Sequence, residues 1–204
     1  MRLFKKSDPR RQAKKALYRM RLNASDVAID CGANVGKVTD RLSRHGATVY
    51  AFEPNPHAYE VLQTRFGDYA HVHCSQQGVM DVAGSMKLYF RENASEDPVK
   101  FSQGSSVLEY KDDSDLVRAL EIEVIDLCLF IRDLDRRITV LKMDVEGVEG
   151  VIMKKLITSG MVHEIDHVFV EMHDQYMPEL TQELNEVRQL VAEQSLSWVN
   201  LNWR

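Results

Sequence analysis

Val27-Ala28-Ile29-Asp30-Cys31-Gly32-Ala33-Asn34-Val35-Gly36 is the stretch on which the fold turns. Val27 to Cys31 is a short apolar run interrupted only by Asp30, as expected of a strand covered on both faces. Gly32 and Gly36 then permit a tight turn and a close approach to the backbone. Gly36 to His45 reads as a helix closed by Gly46. A strand whose carboxyl end enters a glycine turn and opens a helix offers unpaired N–H groups and positive potential, a place for a phosphate or a carboxylate.

The same alternation continues outward. Thr48 to Phe52 and Ala70 to Cys74 read as strands around a helix from Pro56 to Phe66. Ile138 to Met143 is another apolar strand. The helix after it, Val148 to Ser159, aligns Val148, Val151, Ile152 and Leu156 and closes at Gly160. Ile165 to Glu171 is a further strand. Pro178 to Gln194 is an amphipathic helix carrying Leu180, Leu184, Val187 and Val191, and Leu196 to Trp203 is a last, edge strand. Strands linked by single helices over short connections imply an α/β, doubly wound, mostly parallel sheet. The middle departs from this rhythm: Met86 to Phe90 is a short strand, and Arg91 to Asp115 is polar, with Pro98, Gly104-Ser105-Ser106 and Asp112-Asp113. A loop of that length suggests a lid. We read residues 1–204 as one domain, with 1–24 a basic N-terminal helix or arm and 91–115 the lid loop.

The net charge of −5 hides an asymmetry, since nine basic residues against one acid up to Arg21 leave the rest of the chain at −13. That balance argues against a nucleic-acid binder over the whole surface. The basic start keeps open a local contact with phosphates or anionic lipid. Ala13, Leu17 and Met20 at helical spacing favour a flanking helix packed on the domain. Cys31, Cys74 and Cys128 lack any Cys-x-x-Cys pairing and sit among apolar residues, as buried thiols of a reducing compartment do. No secretory signal or membrane-length apolar run is present, so a cytoplasmic protein is expected.

The candidate site lies at strand ends. A dinucleotide turn wants Gly-x-Gly-x-x-Gly, but here the spacing is Gly-x-x-x-Gly with Asn34 inside it. Glu53 ends the second strand, 21 residues after Gly32, where an acid meets a ribose diol. Its two oxygens can accept both hydroxyls, and Pro54 and Pro56 stiffen the turn that aims it. Gln76 or Gln77, after the third strand, is placed to bond an adenine edge. Asp144 and Glu146 crowd the end of the later strand. Glu149 reads as an acid complementing a helix dipole. Glu171 and His173 end the next strand, at the edge where open α/β sheets bind ligands. Asp144, Glu171 and His173 offer oxygen and imidazole donors for a metal, without diagnostic spacing.

Taken in order, Val27 to Gly36, Ala51-Phe52-Glu53-Pro54-Asn55, Gly104-Ser105-Ser106, Lys142-Met143-Asp144-Val145-Glu146-Gly147-Val148-Glu149 and Val170-Glu171-Met172-His173 resemble the FkbM-type methyltransferases. The resemblance implies a class I, Rossmann-like methyltransferase sheet that binds S-adenosylmethionine. It also implies O-methylation of a hydroxyl on a sugar, polyketide or related metabolite, so the partner is a small-molecule or glycan acceptor. Carried over, Asp30, Gly32, Asn34, Gly36 and Glu53 line the cofactor, the methionine carboxylate lying at the turn. Asp144, Glu146, Glu171 and His173 face the acceptor. Ser75-Gln76-Gln77-Gly78-Val79 departs from the Ala-Val-Gly-like turn of relatives, and the early end of the chain leaves the last strand pair of the sheet in question. His173 has the natural pKa for a general base, with Glu171 on the same side of the strand to orient it. Two other readings compete. A nucleic-acid methyltransferase would use the basic arm, but Asp144-Val145-Glu146-Gly147 stands where base-methylating enzymes carry Asn/Asp-Pro-Pro-Tyr/Phe. A non-catalytic S-adenosylmethionine-binding interaction protein would not need its polar strand ends intact. A nicotinamide oxidoreductase lacks both its glycine pattern and a Tyr-x-x-x-Lys pair.

Overall fold

Five parallel pairings build the main sheet of the computed structural model, which describes residues 8–91 and 116–203. Its strands are β1 (Val27–Cys31), β2 (Thr48–Phe52), β3 (Val72–Ser75), β7 (Ile138–Met143), β8 (Ile165–Val170) and β9 (Val199–Asn200), in the order β3-β2-β1-β7-β8-β9. Parallel strands need crossovers, and helices supply them: α2 (Lys37–Ser43), α3 (Pro56–Phe66), α5 (Glu149–Thr158) and α6 (Thr181–Glu193). The expected doubly wound sheet is therefore the observed one.

Period-2 alternation sorts the strand residues onto two faces. Val27, Ile29, Cys31, Leu141 and Met143 pack with Ile152, Leu156, Leu184 and Val187 on one side. Ala28, Val49, Ala51 and Val140 pack with Leu42, Leu62 and Phe66 on the other. The second face also receives α1 (Pro9–Arg19). Asp8 caps that helix by accepting the Arg10 N–H, Ala13 and Leu17 are fully buried, and Tyr18 stacks on Trp203 at 6.2 Å. The basic segment is a packed flanking helix from Pro9 onward; residues 1–7 lie outside the described residues.

The middle of the chain holds more than the expected short strand. β4 (Gly78–Met80), β5 (Gly84–Arg91) and β6 (Leu116–Asp126) form a second sheet in the order β4-β6-β5, with β5 and β6 antiparallel, and α4 (Leu127–Leu134) follows. In Glu121-Ile122-Glu123-Val124 the apolar side chains turn onto Leu88 while the acids stay outside, the alternation of a half-buried strand. The expected lid, 91–115, lies outside the described residues except for Arg91, which ends β5. Toward the end of the chain, Pro178–Leu180 is a single 3-10 turn before α6, and β9 is shorter than expected: Leu196 and Trp203 are buried but not in the strand. No described helix is long and apolar enough to cross a membrane.

Candidate active site

Asp30, fully buried on β1, accepts the Thr39 hydroxyl at 2.7 Å and faces the Lys142 ammonium of β7 at 3.2 Å. Lys142 is 3% exposed and reaches up to donate to the carbonyls of Gly32 at 2.7 Å and Cys31 at 3.2 Å. A buried ammonium costs several kcal/mol unless paired. Burial pulls its pKa down, but the charges of Asp30 and Asp144 outweigh that and raise it, so the ammonium keeps its charge. The glycine turn is thus held through the Lys142 ammonium, which Asp30 pairs from beneath while accepting the Thr39 hydroxyl of α2.

Above it the backbone runs so close that only glycine fits. Gly32 has φ of +72°, and a Cβ there would lie 1.8 Å from the Asp144 carbonyl oxygen. Gly36 has φ of +80° and serves packing, since its Cβ would meet Phe66 at 2.4 Å and Leu62 at 2.8 Å where α2 crosses α3. Asn34, at φ of 50°, takes its place in the turn and accepts the Val35 N–H on its own side chain at 2.8 Å.

Glu53 completes this half. One carboxylate oxygen accepts the Asn34 N–H at 2.7 Å and the other the Asn55 N–H at 2.9 Å. Asn55 in turn caps α3 by accepting the N–H groups of His57 and Ala58. Each Glu53 oxygen keeps a further lone pair. Burial pushes its pKa up to about 7, against the pull of those two backbone bonds and of Lys142. Gln76, at the turn between β3 and β4, is exposed, while Gln77 accepts the Ser75 hydroxyl at 2.7 Å and donates to Glu123 at 3.2 Å.

At the adjoining strand ends, Asp144, Glu146 and His173 come together, one ligating atom of each lying within 4.8 Å of the others. His173 is 3% exposed. Its backbone N–H and Nδ1 both meet Glu149 Oε1, at 2.8 and 3.1 Å, and the second oxygen of Glu149 accepts the Gly147 N–H at 2.8 Å. Glu149 is fully buried, and its role differs from a plain helix-dipole acid: it fixes the imidazole. Nε2 faces Glu146 Oε2 at 3.4 Å and Asp144 Oδ1 at 3.8 Å. Burial opposes the charged ring, but the Glu149 bond and the charges of Glu149, Glu146 and Asp144 prevail and push its pKa up to about 9. Glu171, half-buried at the end of β8, is raised to about 7 by burial and by the charge of Asp144. Glu146 is held at φ of 55° and Gly147 at φ of 114°, a sharp reversal that turns the loop back over the strand end.

The structure therefore gathers Gly32, Asn34 and Glu53 at one end of the sheet edge, with Asp30 beneath, and Asp144, Glu146, Glu171 and His173 at the other. Gly36 works one layer back, and Gln76 is exposed beside this half, one residue after Ser75, whose carbonyl accepts the Glu53 N–H at 3.0 Å. Lys142 and Glu149 join two functional groups that sequence reasoning left separate. A charged residue inside Leu141-Lys142-Met143, a strand covered on both faces, had to find a buried partner, and that was its available signal.

A family model described as the methyltransferase FkbM domain matches residues 30–195. No curated protein matches. Among solved structures, an rRNA-methylase candidate from Clostridium thermocellum is 10% identical, covering 59% of this chain and 100% of its own, with a TM-score of 0.29. TYW2 of M. jannaschii, solved in complex with AdoMet, is 15% identical over 60% of this chain and 78% of its own, with a TM-score of 0.26.

Proposed function

The chain belongs to the FkbM methyltransferase family, and from that membership we propose that it transfers a methyl group from S-adenosylmethionine to a hydroxyl of a sugar, polyketide or related metabolite. The observation that carries the reading is Glu53. A buried carboxylate at the end of β2, anchored by two backbone N–H groups yet keeping a free lone pair on each oxygen, suits a ribose diol.

S-adenosylmethionine supplies a methyl group already activated on a sulfonium. The protein's task is to align the acceptor oxygen and remove its proton. Glu171 is the residue we assign to that proton. Its carboxylate makes no hydrogen bond among the described residues, whereas both ring nitrogens of His173 already face carboxylates. Asp144 and Glu146 flank the acceptor position, where their charge favours a neutral hydroxyl compound over a phosphate-bearing chain. Titration calorimetry with S-adenosylmethionine should give one site per chain. A screen of hydroxylated metabolites and glycans, read by S-adenosylhomocysteine release, should then find the acceptor. A folded protein that binds no S-adenosylmethionine would overturn the reading.

A further inference from the structure

We propose that Asp144, Glu146 and His173 form a binding site for a divalent cation of the magnesium and manganese class. Three observations carry it. The ligating atoms belong to three residues on two strand ends and lie within 4.8 Å of one another. The His173 side chain is only 4% exposed, and among the described residues its Nε2 makes no hydrogen bond. The Glu146 and Asp144 oxygens that it faces stand at 3.4 and 3.8 Å, beyond the usual hydrogen-bond length for N–H···O. With metal–ligand bonds of about 2.1 Å, neighbouring ligands of one ion sit about 3 to 3.5 Å apart, so small side-chain adjustments would seat the three around one cation.

The other face of the imidazole is prepared for this. Nδ1 is bound to Glu149, which is fully buried and also grips the His173 N–H and the Gly147 N–H. A carboxylate on the remote ring nitrogen fixes the tautomer with Nδ1–H and directs Nε2 outward as a ligand, as metal-binding histidines commonly require. Glu149 is thus a positioning residue that touches no ion. Two carboxylates and one imidazole suit an oxygen-preferring ion of borderline softness, with manganese above calcium. Asp144 and Glu146 are each more than a quarter exposed, which leaves an open side for water or an acceptor hydroxyl. The cation's use in catalysis rests on the methyltransferase reading; its binding does not.

The test uses the full chain with manganous ion alone, without cofactor or acceptor. Electron paramagnetic resonance and titration calorimetry should show one ion per chain. Asp144→Asn, Glu146→Gln and His173→Ala should each weaken binding at least tenfold. Glu149→Gln should weaken it about 10- to 100-fold. Circular dichroism checks that each variant is folded, and because Glu146 is partly exposed its variant serves where the buried ones do not fold. Paramagnetic broadening of the His173 ring resonances gives a readout independent of any variant. No stoichiometric binding, or binding unchanged in Glu146→Gln with the His173 signals sharp, overturns the proposal. Separate titration with S-adenosylmethionine distinguishes the two readings: manganese bound without cofactor binding leaves this proposal standing and the methyltransferase reading defeated.

Discussion

At the β1–β2 end of the sheet edge, Asp30 and Glu53 are buried among groups that answer them: Thr39 and Lys142 for one, two backbone N–H groups for the other. At the β7–β8 end, Asp144, Glu146 and Glu171 stand partly open around a single imidazole. Both ends are rich in carboxylates, yet at the first Asp30 meets a buried ammonium, although its Oδ1 makes no hydrogen bond of its own. A buried, ion-paired and hydrogen-bonded network holds a shape. A half-open cluster with surplus negative charge holds potential that a ligand can use. Substitutions at the two ends should therefore fail in different ways.

The largest expected effect lies at the open end. Glu171→Gln removes the group assigned to the proton while keeping its size, and turnover should fall by about 10²–10⁴-fold. Its affinity for S-adenosylmethionine should stay within a few-fold, and its denaturant midpoint should not fall. Single-turnover kinetics with a hydroxylated acceptor check this. Near-normal turnover would move the role to another member of the cluster.

Next comes the closed end. Lys142→Met leaves the Asp30 carboxylate without its cation and should cost about 3–5 kcal/mol of stability. Urea unfolding should show a lower midpoint at unchanged slope. Glu146→Gln, by contrast, should cost less than about 1 kcal/mol, since its carboxylate is partly exposed and the Glu149 bond still holds His173. If both variants are equally harmless, the division between a structural and a functional end is broken.

What the sequence disclosed follows the same line. Apolar runs and glycine turns exposed the main sheet because β1 and β7 are buried along almost their whole length and β8 ends in the buried run Val168-Phe169-Val170, so apolar residues dominate all three despite Asp30, Lys142 and the Asp166-His167 pair. β6 escaped notice although Ile122 and Val124 alternate with Glu121 and Glu123, because the polar stretch before it masked where the pattern begins. Glu53, Asp144, Glu171 and His173 were legible as polar strand ends. Lys142 and Glu149 were not, because their meaning lies in partners distant along the chain: Lys142 reaches Gly32 from 110 positions away, and Glu149 reaches His173 across 24. Pairing of that kind is a property of the folded topology rather than of local pattern.

A smaller effect tests Glu53 directly. Glu53→Ala removes charge-assisted hydrogen bonds to the ribose, about 1.5–3 kcal/mol, and should weaken S-adenosylmethionine about 10- to 100-fold. Titration calorimetry on a folded variant checks it, and an unchanged dissociation constant would detach Glu53 from the cofactor.

The smallest effect is the one in which stability and binding should part company. Glu53 has its pKa raised by burial from 4.5 to about 7. A carboxyl whose folded pKa lies above its unfolded value contributes stability that is fully present below the unfolded pKa and is lost as pH rises through the folded one. The cofactor-free protein should therefore lose some stability between pH 4.5 and about 7, with Glu171 acting in the same direction. The ionised carboxylate is also the form with both oxygens free to accept from a diol, so cofactor affinity should move the opposite way. Between pH 8 and pH 6 the ionised share of a group with pKa 7 falls from about nine-tenths to one-tenth, so S-adenosylmethionine should bind up to about tenfold more weakly at the lower value. Melting temperature and dissociation constant measured across that range on one preparation test the opposed signs. Glu53→Gln should flatten the binding curve and keep the part of the stability trend that belongs to Glu171. If affinity and stability instead rise and fall together with pH, the titrating group is not the one that holds the ribose.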